Sequence, residues 1–178
     1  LANLDPDRRA TIRRLIRRLA RQHGTTLVYV THDPQEALEL GDAVAVFDGG
    51  RLVEHGAPVD LYRAPRTLIG ARAMGAVNAL PAEVRDGMAT SALGSHATEA
   101  ADGDGLVLWR PEGIRAADAG SLRVAVEHVT PHGADWGFTA TVGDASIEGR
   151  SDHPLDPGAE IALAVSAPAA VVAAEETA

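Results

Sequence analysis

One histidine of the chain stands where a side chain could take part in phosphate chemistry. His32 follows an apolar, β-branched run at residues 25–31, which is typical of a strand buried on both faces of a parallel sheet. Ligands of open α/β sheets lie outside the carboxyl ends of the strands, where this run would place the imidazole. A neutral imidazole accepts one hydrogen bond and donates another, so it could contact a terminal phosphate and an attacking water. Taken alone, the spacing favours a plainer alternative, a strand-end histidine bonded to a backbone carbonyl.

Helix signals flank this run on both sides. Asp5 and Pro6 suit a helix cap and a first helical position, and Gly24 suits the position just past the helix end. After the run, Asp33 repeats the cap signal before a proline, and Glu36 is expected to reach back and close a capping box. The first helix carries apolar residues at helical spacing, which predict a buried face between arginine-rich faces. These residues are Ile12, Leu15, Ile16 and Leu19.

The sequence pattern changes near residue 75. Residues 1–74 have the pattern of the closing part of an α/β domain, whereas short strand-like pieces in residues 78–166 predict a small β-barrel or sandwich. Short helices are predicted near 59–62 and 67–74, and strands at 82–85, 89–93, 106–109, 122–129, 138–142, 146–150 and 161–165. Residues 98–105 are expected to form a flexible loop, and residues 167–178 a disordered tail.

The composition excludes several classes of protein. The chain has 178 residues, no cysteine, and 16 basic residues that are all arginine. Without cysteine, disulfide scaffolds, thiolate metal sites and cysteine catalysis are excluded. The net charge of −9 argues against a nucleic-acid binder that works through a global positive field. The longest apolar run, residues 161–174, is shorter than the roughly 20 residues that span a bilayer.

Three motifs of the first region resemble the C-terminal part of the ATP-binding subunit of an ABC importer. Residues 1–5 are similar to the D-loop of that family. Residues 30–33 followed by Glu36 and Ala37 resemble its switch segment. A third match, Phe47-Asp48-Gly49-Gly50-Arg51-Leu52, is similar to the hairpin that follows. Since the chain opens within a motif, it is expected to be a fragment of a longer subunit.

This resemblance implies a role for each matching residue. His32 would be the catalytic switch residue that contacts the γ-phosphate, and Asp5 would bridge to the opposite subunit. Asn3 lies in the same loop, so the residues implied to contact nucleotide are Asn3, Asp5 and His32. In the complete protein, two such subunits would sandwich ATP with Mg²⁺ and drive transmembrane permease subunits. Its location would be cytoplasmic, peripheral on the inner face of the cell membrane.

The chain lacks the other parts that this chemistry needs. It contains no lysine and therefore no phosphate-binding G-x-x-x-x-G-K-[ST] loop. The signature motif and the acidic Walker B residues are also missing. Without the phosphate cradle and the Mg²⁺ ligands, phosphoryl transfer loses its main electrostatic stabilisation. The 178-residue chain alone is therefore expected to bind no cofactor and to hydrolyse no ATP, although the complete parent would be an ATPase.

Residues 78–166 resemble the regulatory TOBE domain of such subunits, which has an oligonucleotide-binding-like barrel. The matching strings are Asn78-Ala79-Leu80-Pro81-Ala82 and Arg110-Pro111-Glu112-Gly113-Ile114-Arg115. The fold class is therefore predicted as an α/β remnant of a P-loop ATPase domain followed by an all-β, OB-like barrel. The first string favours the iron or polyamine type of importer.

Other interpretations stay open. Arg110 and Glu112 could instead belong to a fixed turn, with Arg110 paired to a nearby carboxylate. His128 and His132 have a metal-like spacing, but Pro131 disfavours the helix that would align them, so no metal site is predicted. The alternative function is a non-enzymatic regulatory or dimerisation module that senses a small ligand.

Overall fold

The computed structural model describes residues 6–120 and 122–174. The first region contains four helices and one hairpin. They are α1 (Pro6–Gln22), α2 (Pro34–Leu40), β1 (Val44–Asp48), β2 (Arg51–Gly56), α3 (Pro58–Arg63) and α4 (Leu68–Ala73). Their positions confirm the predicted helix end at Gly24, which has a φ of 60°, and the hairpin, in which β1 and β2 pair antiparallel.

The second region is built from ten strands. They are β3 (Asn78–Arg85), β4 (Met88–Ser91), β5 (Gly94–Ala97), β6 (Gly103–Trp109), β7 (Ile114–Ala117), β8 (Arg123–Pro131), β9 (Trp136–Val142), β10 (Ala145–Ser151), β11 (Glu160–Val165) and β12 (Ala170–Ala173). A 3-10 helix, Pro111–Gly113, joins β6 to β7. Strands β5, β7 and β12 lie outside the segments that the sequence predicted, and β6 begins inside the predicted flexible loop.

These strands form a closed barrel and an open sheet that share one core. The barrel order is β10-β7-β11-β8-β9, and the five-stranded sheet has the order β12-β6-β3-β4-β5. Trp109 from the sheet and Ile147 from the barrel, both 0% exposed, belong to the same apolar cluster. The closed five-stranded barrel confirms the β part of the predicted fold class and is compatible with an OB-like fold. The assignment of the first region as a remnant of a P-loop ATPase domain stays a prediction.

A buried asparagine fastens the open sheet to the barrel. The side-chain amide of Asn78 donates to the carbonyl of Glu148 at 2.8 Å, and its oxygen accepts from the amide of Glu148 at 2.6 Å. Asn78 lies on β3 and Glu148 on β10. One side chain therefore replaces a pair of main-chain hydrogen bonds between the two β layers.

An arginine joins the helices of the first region to the β region. Arg110 is 5% exposed, and its Nη1 donates to the carbonyls of Ala71, Gly75 and Ala76 at 2.9, 3.1 and 3.0 Å. Its Nε donates to the carbonyl of Tyr62 at 3.0 Å, and the guanidinium lies 4.2 Å from the centroid of that ring. Arg110 therefore binds the carbonyls at the end of α4, not the carboxylate that the turn interpretation predicted.

Polar contacts also secure the small helices of the first region. The buried carboxylate of Glu54, on β2, accepts from the amide of Arg66 at 2.9 Å and from the hydroxyl of Thr67 at 3.1 Å. The hydroxyl of Thr67 in turn caps α4 by accepting from the amide of Gly70 at 2.9 Å. A side chain at Gly70 would meet the Glu54 carboxylate, so this close approach requires glycine.

The prediction of a buried strand at residues 25–31 is wrong for this structure. These residues lie outside helix and strand, and Val28 and Val30 are 85% and 90% exposed. A strand needs a neighbour to pair with its main chain, and no strand in the described part of the chain pairs with this run. The predicted buried face of α1 is only partly covered, since Leu15 and Leu19 are 49% and 44% exposed while Ile12 and Ile16 are half-buried.

The predicted disordered tail is corrected at its centre. Residues Ala170–Ala173 form β12, which pairs antiparallel with β6. Val172 is 4% exposed and packs with Leu68 and Ala71 of α4 and with Leu108. Because the tail has low sequence complexity, the sequence did not show that the adjacent Val171 and Val172 pack in different apolar clusters, Val171 with the shared core and Val172 with α4. A separate observation concerns the helices: none of those described combines the length and the apolar character that a bilayer-spanning helix needs.

Candidate functional site

His32 lies in the short turn that leads into α2. Its side chain is exposed to solvent. The next residue, Asp33, caps the helix, because its Oδ1 accepts from the amides of Gln35 at 2.9 Å and Glu36 at 3.4 Å. Pro34 occupies the first turn of this helix. The structure therefore confirms the predicted cap and places the imidazole beside the positive end of α2.

The residues on both sides of His32 are linked to each other. The amide of Asp33 donates to Oγ1 of Thr31 at 3.0 Å. The same hydroxyl donates to Oε2 of Glu36 at 2.7 Å. This pair of bonds closes a small loop around His32 and fixes the main chain that carries the imidazole.

Glu36 is the buried centre of this network. It is 7% exposed, and besides Thr31 it accepts from the hydroxyl of Tyr29 at 3.0 Å and from Nη1 of Arg13 at 3.2 Å. The predicted capping box is therefore corrected. Glu36 turns away from the amide of Asp33 because three better donors converge on its carboxylate, and Thr31 takes that amide instead.

The network shifts the ionisation of its members. Hydrogen bonding from Thr31 holds the pKa of Glu36 below its usual value, against the opposing effect of burial, with further help from Tyr29 and Arg13. Burial raises the pKa of the Tyr29 phenol, and its hydrogen bond to the Glu36 carboxylate adds to that rise. Glu36 is thus held as an anion and Tyr29 as a donor at neutral pH.

Arginines of α1 carry the network across to α2. Nε of Arg13 donates to Oε2 of Glu39 at 2.9 Å. Nη1 of Arg17 donates to the carbonyl of Glu39 at 2.7 Å, and Nη2 of Arg21 lies 3.1 Å from Oδ1 of Asp42. The turn that carries His32 is therefore held from one side by α1, although the segment before it has no strand partners in the described chain.

The arrangement presents one imidazole to an incoming group. Its ring is open, and its main chain is fixed on both sides, so His32 could accept or donate a hydrogen bond without rearrangement. The other two residues implied to contact nucleotide, Asn3 and Asp5, lie outside the described residues. No group of three or more potential His, Asp or Glu metal ligands occurs within 6–120 and 122–174. The described residues thus fit one contact to a phosphate group and supply no phosphate cradle.

Two participants of the site were not singled out from the sequence. Arg13 is 8% exposed and Tyr29 is half-buried, yet the one lies in an arginine-rich helix and the other in an apolar run. The pattern gave no signal for Arg13. It lies roughly 100° around the helix from Ile12, outside the predicted apolar stripe, so the sequence placed it among the arginines of the other faces.

No protein-family model matches the chain, but individual proteins do. The sn-glycerol-3-phosphate import ATP-binding protein of Ruegeria pomeroyi is 39% identical over 139 residues, covering 76% of this chain and 40% of that protein. The Fe(3+) ions import ATP-binding protein of Escherichia coli K12 is 37% identical over 145 residues, with 78% and 41% covered. The sulfoquinovosyl glycerol transport ATP-binding protein of Agrobacterium fabrum is 33% identical over 179 residues, with 88% and 48% covered.

The chain spans less than half the length of these relatives. All three relatives are named as ATP-binding proteins of import or transport systems. This agrees with the motifs around His32 and with the hairpin that follows. The chain therefore belongs to the ATP-binding subunits of ABC importers, as the resemblance of its motifs to the C-terminal part of such a subunit predicts.

Proposed function

We propose that this chain is part of the ATP-hydrolysing subunit of a binding-protein-dependent importer, in which His32 contacts the γ-phosphate. The observation that carries the proposal is the exposed imidazole on a turn whose flanking residues are hydrogen-bonded to each other and to Glu36. Such fixed placement is what an orienting residue needs, because phosphoryl transfer depends on positioning and electrostatic stabilisation.

In this proposal the residues of the chain do three things. His32 accepts or donates a hydrogen bond at the terminal phosphate and so orients the attacking water. Thr31, Asp33 and Glu36 hold the main chain of that turn. Asp5, with Asn3 beside it, reaches the second subunit. ATP with Mg²⁺ supplies the reactive phosphoryl group and its charge neutralisation, and parts of the subunit outside this chain would hold it.

The exposed apolar surface of the first region supports the proposal that other parts of the subunit complete the ATPase domain. Val28 and Val30 project from a run with no strand partners among the described residues, and Leu15 and Leu19 lie open on α1. We infer that this surface packs against the remainder of the ATPase domain, of which residues 1–74 form a part. Residues 78–166 would then be the TOBE-type regulatory domain, which helps two subunits dimerise.

The partners and cargo follow from the family. We infer that the complete subunit associates with transmembrane permease subunits on the cytoplasmic face of the membrane. Its relatives are named for the import of sn-glycerol 3-phosphate, Fe(3+) ions and sulfate or thiosulfate. Of these, the Asn78-x-Leu80-Pro81 string favours the iron type, with polyamines as the other candidate.

The test uses the complete ATP-binding subunit of which, in this proposal, the chain is a part. His32→Ala is expected to lower kcat for ATP hydrolysis by about 100-fold or more, with a small change in KM, because the residue orients the reaction. His55→Ala is the matched control, since His55 is also an exposed histidine of the first region, and it should leave both constants unchanged.

Two results would contradict the proposal. One is an unchanged kcat in the His32→Ala subunit, which would show that the imidazole has no part in hydrolysis. The other is Mg²⁺-dependent ATP turnover by the purified 178-residue chain, which contains no phosphate-binding loop and is therefore expected to be inactive.

A further inference from the structure

A row of three residues on the outer face of the barrel has a gap at its centre. Gly137 on β9 is in register with Thr130 on β8 and with Arg150 on β10. Side chains in register on neighbouring strands project from the same face of a sheet. Because the central residue is glycine, the flanking side chains can close over its backbone.

Two nitrogen donors converge above this glycine. A Cβ placed on Gly137 would lie 2.7 Å from Nε2 of His132 and 3.3 Å from Nη1 of Arg150. The imidazole and the guanidinium therefore point at the same place, which any other residue at position 137 would occupy.

The converging donors line a groove. It has a cavity volume of about 240 Å³, and its polar lining is His128, Thr130, His132, Thr139, Glu148 and Arg150. We call it the β8–β10 groove. Its volume suits a small ion or a single phosphate group better than a nucleotide, since ligand pockets for larger molecules span roughly 300–1,000 Å³.

Arg150 is the residue of this groove that lacks a counterpart. Its Nη1 is buried and has no hydrogen-bond partner among residues 6–120 and 122–174. The neighbouring Arg115, in register with it on β7, instead pairs with the carboxylate of Asp152. A buried donor that stays unpaired costs free energy, more so when it is charged, so an external acceptor at this nitrogen would relieve that cost.

The charges around the groove favour an anion. Arg150 supplies a guanidinium, and the rings of His128 and His132 add nitrogen atoms that can donate hydrogen bonds. Glu148 is the acidic residue of the lining, and its side chain is exposed on the row beside Thr139. The nearby carboxylate of Glu112 is occupied, because it accepts from the hydroxyl of Tyr62 at 2.7 Å. A cation would face the Arg150 guanidinium at close range.

We propose that the β8–β10 groove binds a small tetrahedral oxyanion of the phosphate or sulfate class. Arg150 donates to it through its half-buried guanidinium, His132 through Nε2, and Thr130 through its hydroxyl. A guanidinium suits this role because its planar donors match the oxygens of such anions. The site is separate from His32 and does not depend on ATP hydrolysis.

The proposal can be tested on the 178-residue chain by NMR and calorimetric titration. The probes are inorganic phosphate, sulfate and O-phosphoserine, each against sodium chloride at equal ionic strength. We expect saturable binding with a Kd of about 1 mM or tighter and shifts at His132 and Arg150. Stronger binding of O-phosphoserine than of the inorganic anions would identify the ligand as a phosphorylated molecule, and the reverse a free anion; both support the site.

Three variants give the control. Arg150→Gln removes the guanidinium and its charge, and Gly137→Ala pushes the His132 ring away while keeping every charge. Each should weaken binding by about tenfold or more. Arg115→Gln removes an equally charged neighbour and should bind normally. Thermal unfolding shows which variants are folded. If Gly137→Ala is unstable, the comparison of Arg150→Gln with wild type tests the proposal by itself. Equal binding by wild type and Arg150→Gln, or shifts that chloride reproduces, would overturn the proposal.

Discussion

The two regions of the molecule are held together by different forces. In the β region, the barrel and the sheet close over a common apolar core in which Val107 and Trp109 are 0% exposed. In the first region, Val28 and Val30 are 85% and 90% exposed. Its α1 and the run at 25–31 are held largely by polar contacts to the carboxylate of Glu36, whereas its hairpin and later helices share a small apolar cluster of Val46, Leu61 and Met74.

This difference shows which region is complete within the described chain. The β region satisfies its strands internally, so hydrophobic burial can stabilise it without further polypeptide. Within the first region, α1 and the run at residues 25–31 keep apolar side chains open and rely on hydrogen bonds, whose net contributions are about 1 kcal/mol each. We expect the β region to unfold cooperatively and the first region to open more easily.

The largest effect should come from the shared core. Trp109→Ala removes a fully buried ring that packs between sheet and barrel, and it should lower the free energy of unfolding of the β region by about 3–5 kcal/mol. Denaturant unfolding followed by circular dichroism measures this. The half-buried Trp136 is the matched control, and an equal loss in Trp136→Ala would show that the common core is not what stabilises the region.

The junction between the regions should come next. Arg110→Met keeps much of the volume but leaves the carbonyls of Tyr62, Ala71, Gly75 and Ala76 without their donor. We expect a loss of about 2–3 kcal/mol and faster amide hydrogen exchange in α4, with β9 and β10 little changed. Unchanged exchange in α4 would contradict the role given to Arg110.

A smaller and pH-dependent effect is expected at Glu36. Because the pKa of Glu36 is lowered in the folded chain, its stabilisation is complete above the unfolded pKa of about 4.3 and is lost as pH falls through the lower folded value. Glu36→Gln should cost about 1 kcal/mol at pH 7, and the gap to wild type should narrow in acid. Exposed Glu99→Gln serves as the control, and a gap that is constant with pH would be the contrary result.

The smallest effect is expected at the open apolar run. Val28→Ser and Val30→Ser should each change the stability of this chain by less than about 0.5 kcal/mol, because neither side chain is buried. Val107→Ser in the β region should cost several times more. In the complete subunit the two substitutions in the run should become destabilising, and thermal unfolding of both proteins would show whether they do.

Local signals in the sequence were enough for the elements that depend on neighbouring residues. The cap at Asp33, the helix end at Gly24 and the hairpin at residues 48–50 need only a few residues to form, and the structure contains each of them. Short strand-like pieces of sequence likewise predicted seven of the β-region strands at roughly the right places.

The elements that failed depend on distant partners. The run at 25–31 has the residues of a strand but no neighbour in the described chain, while β12 has little sequence signal and forms because β6 offers it an edge. In the same way, nothing near Glu36 in the sequence shows that Arg13 and Tyr29 will converge on it. The catalytic role of His32 stays a prediction, since the structure shows only that its turn is fixed and its ring exposed.

The contacts of Arg110 constrain how the segment between α4 and β3 can change during evolution. The guanidinium stacks on the Tyr62 ring, but its hydrogen bonds go to main-chain oxygens of its four partners, so the exposed side chain at position 76 can be exchanged without weakening them. A shift in the path of the backbone, by insertion, deletion or proline between α4 and β3, would misplace several oxygens at once. The linker is therefore expected to vary freely in composition and hardly at all in length.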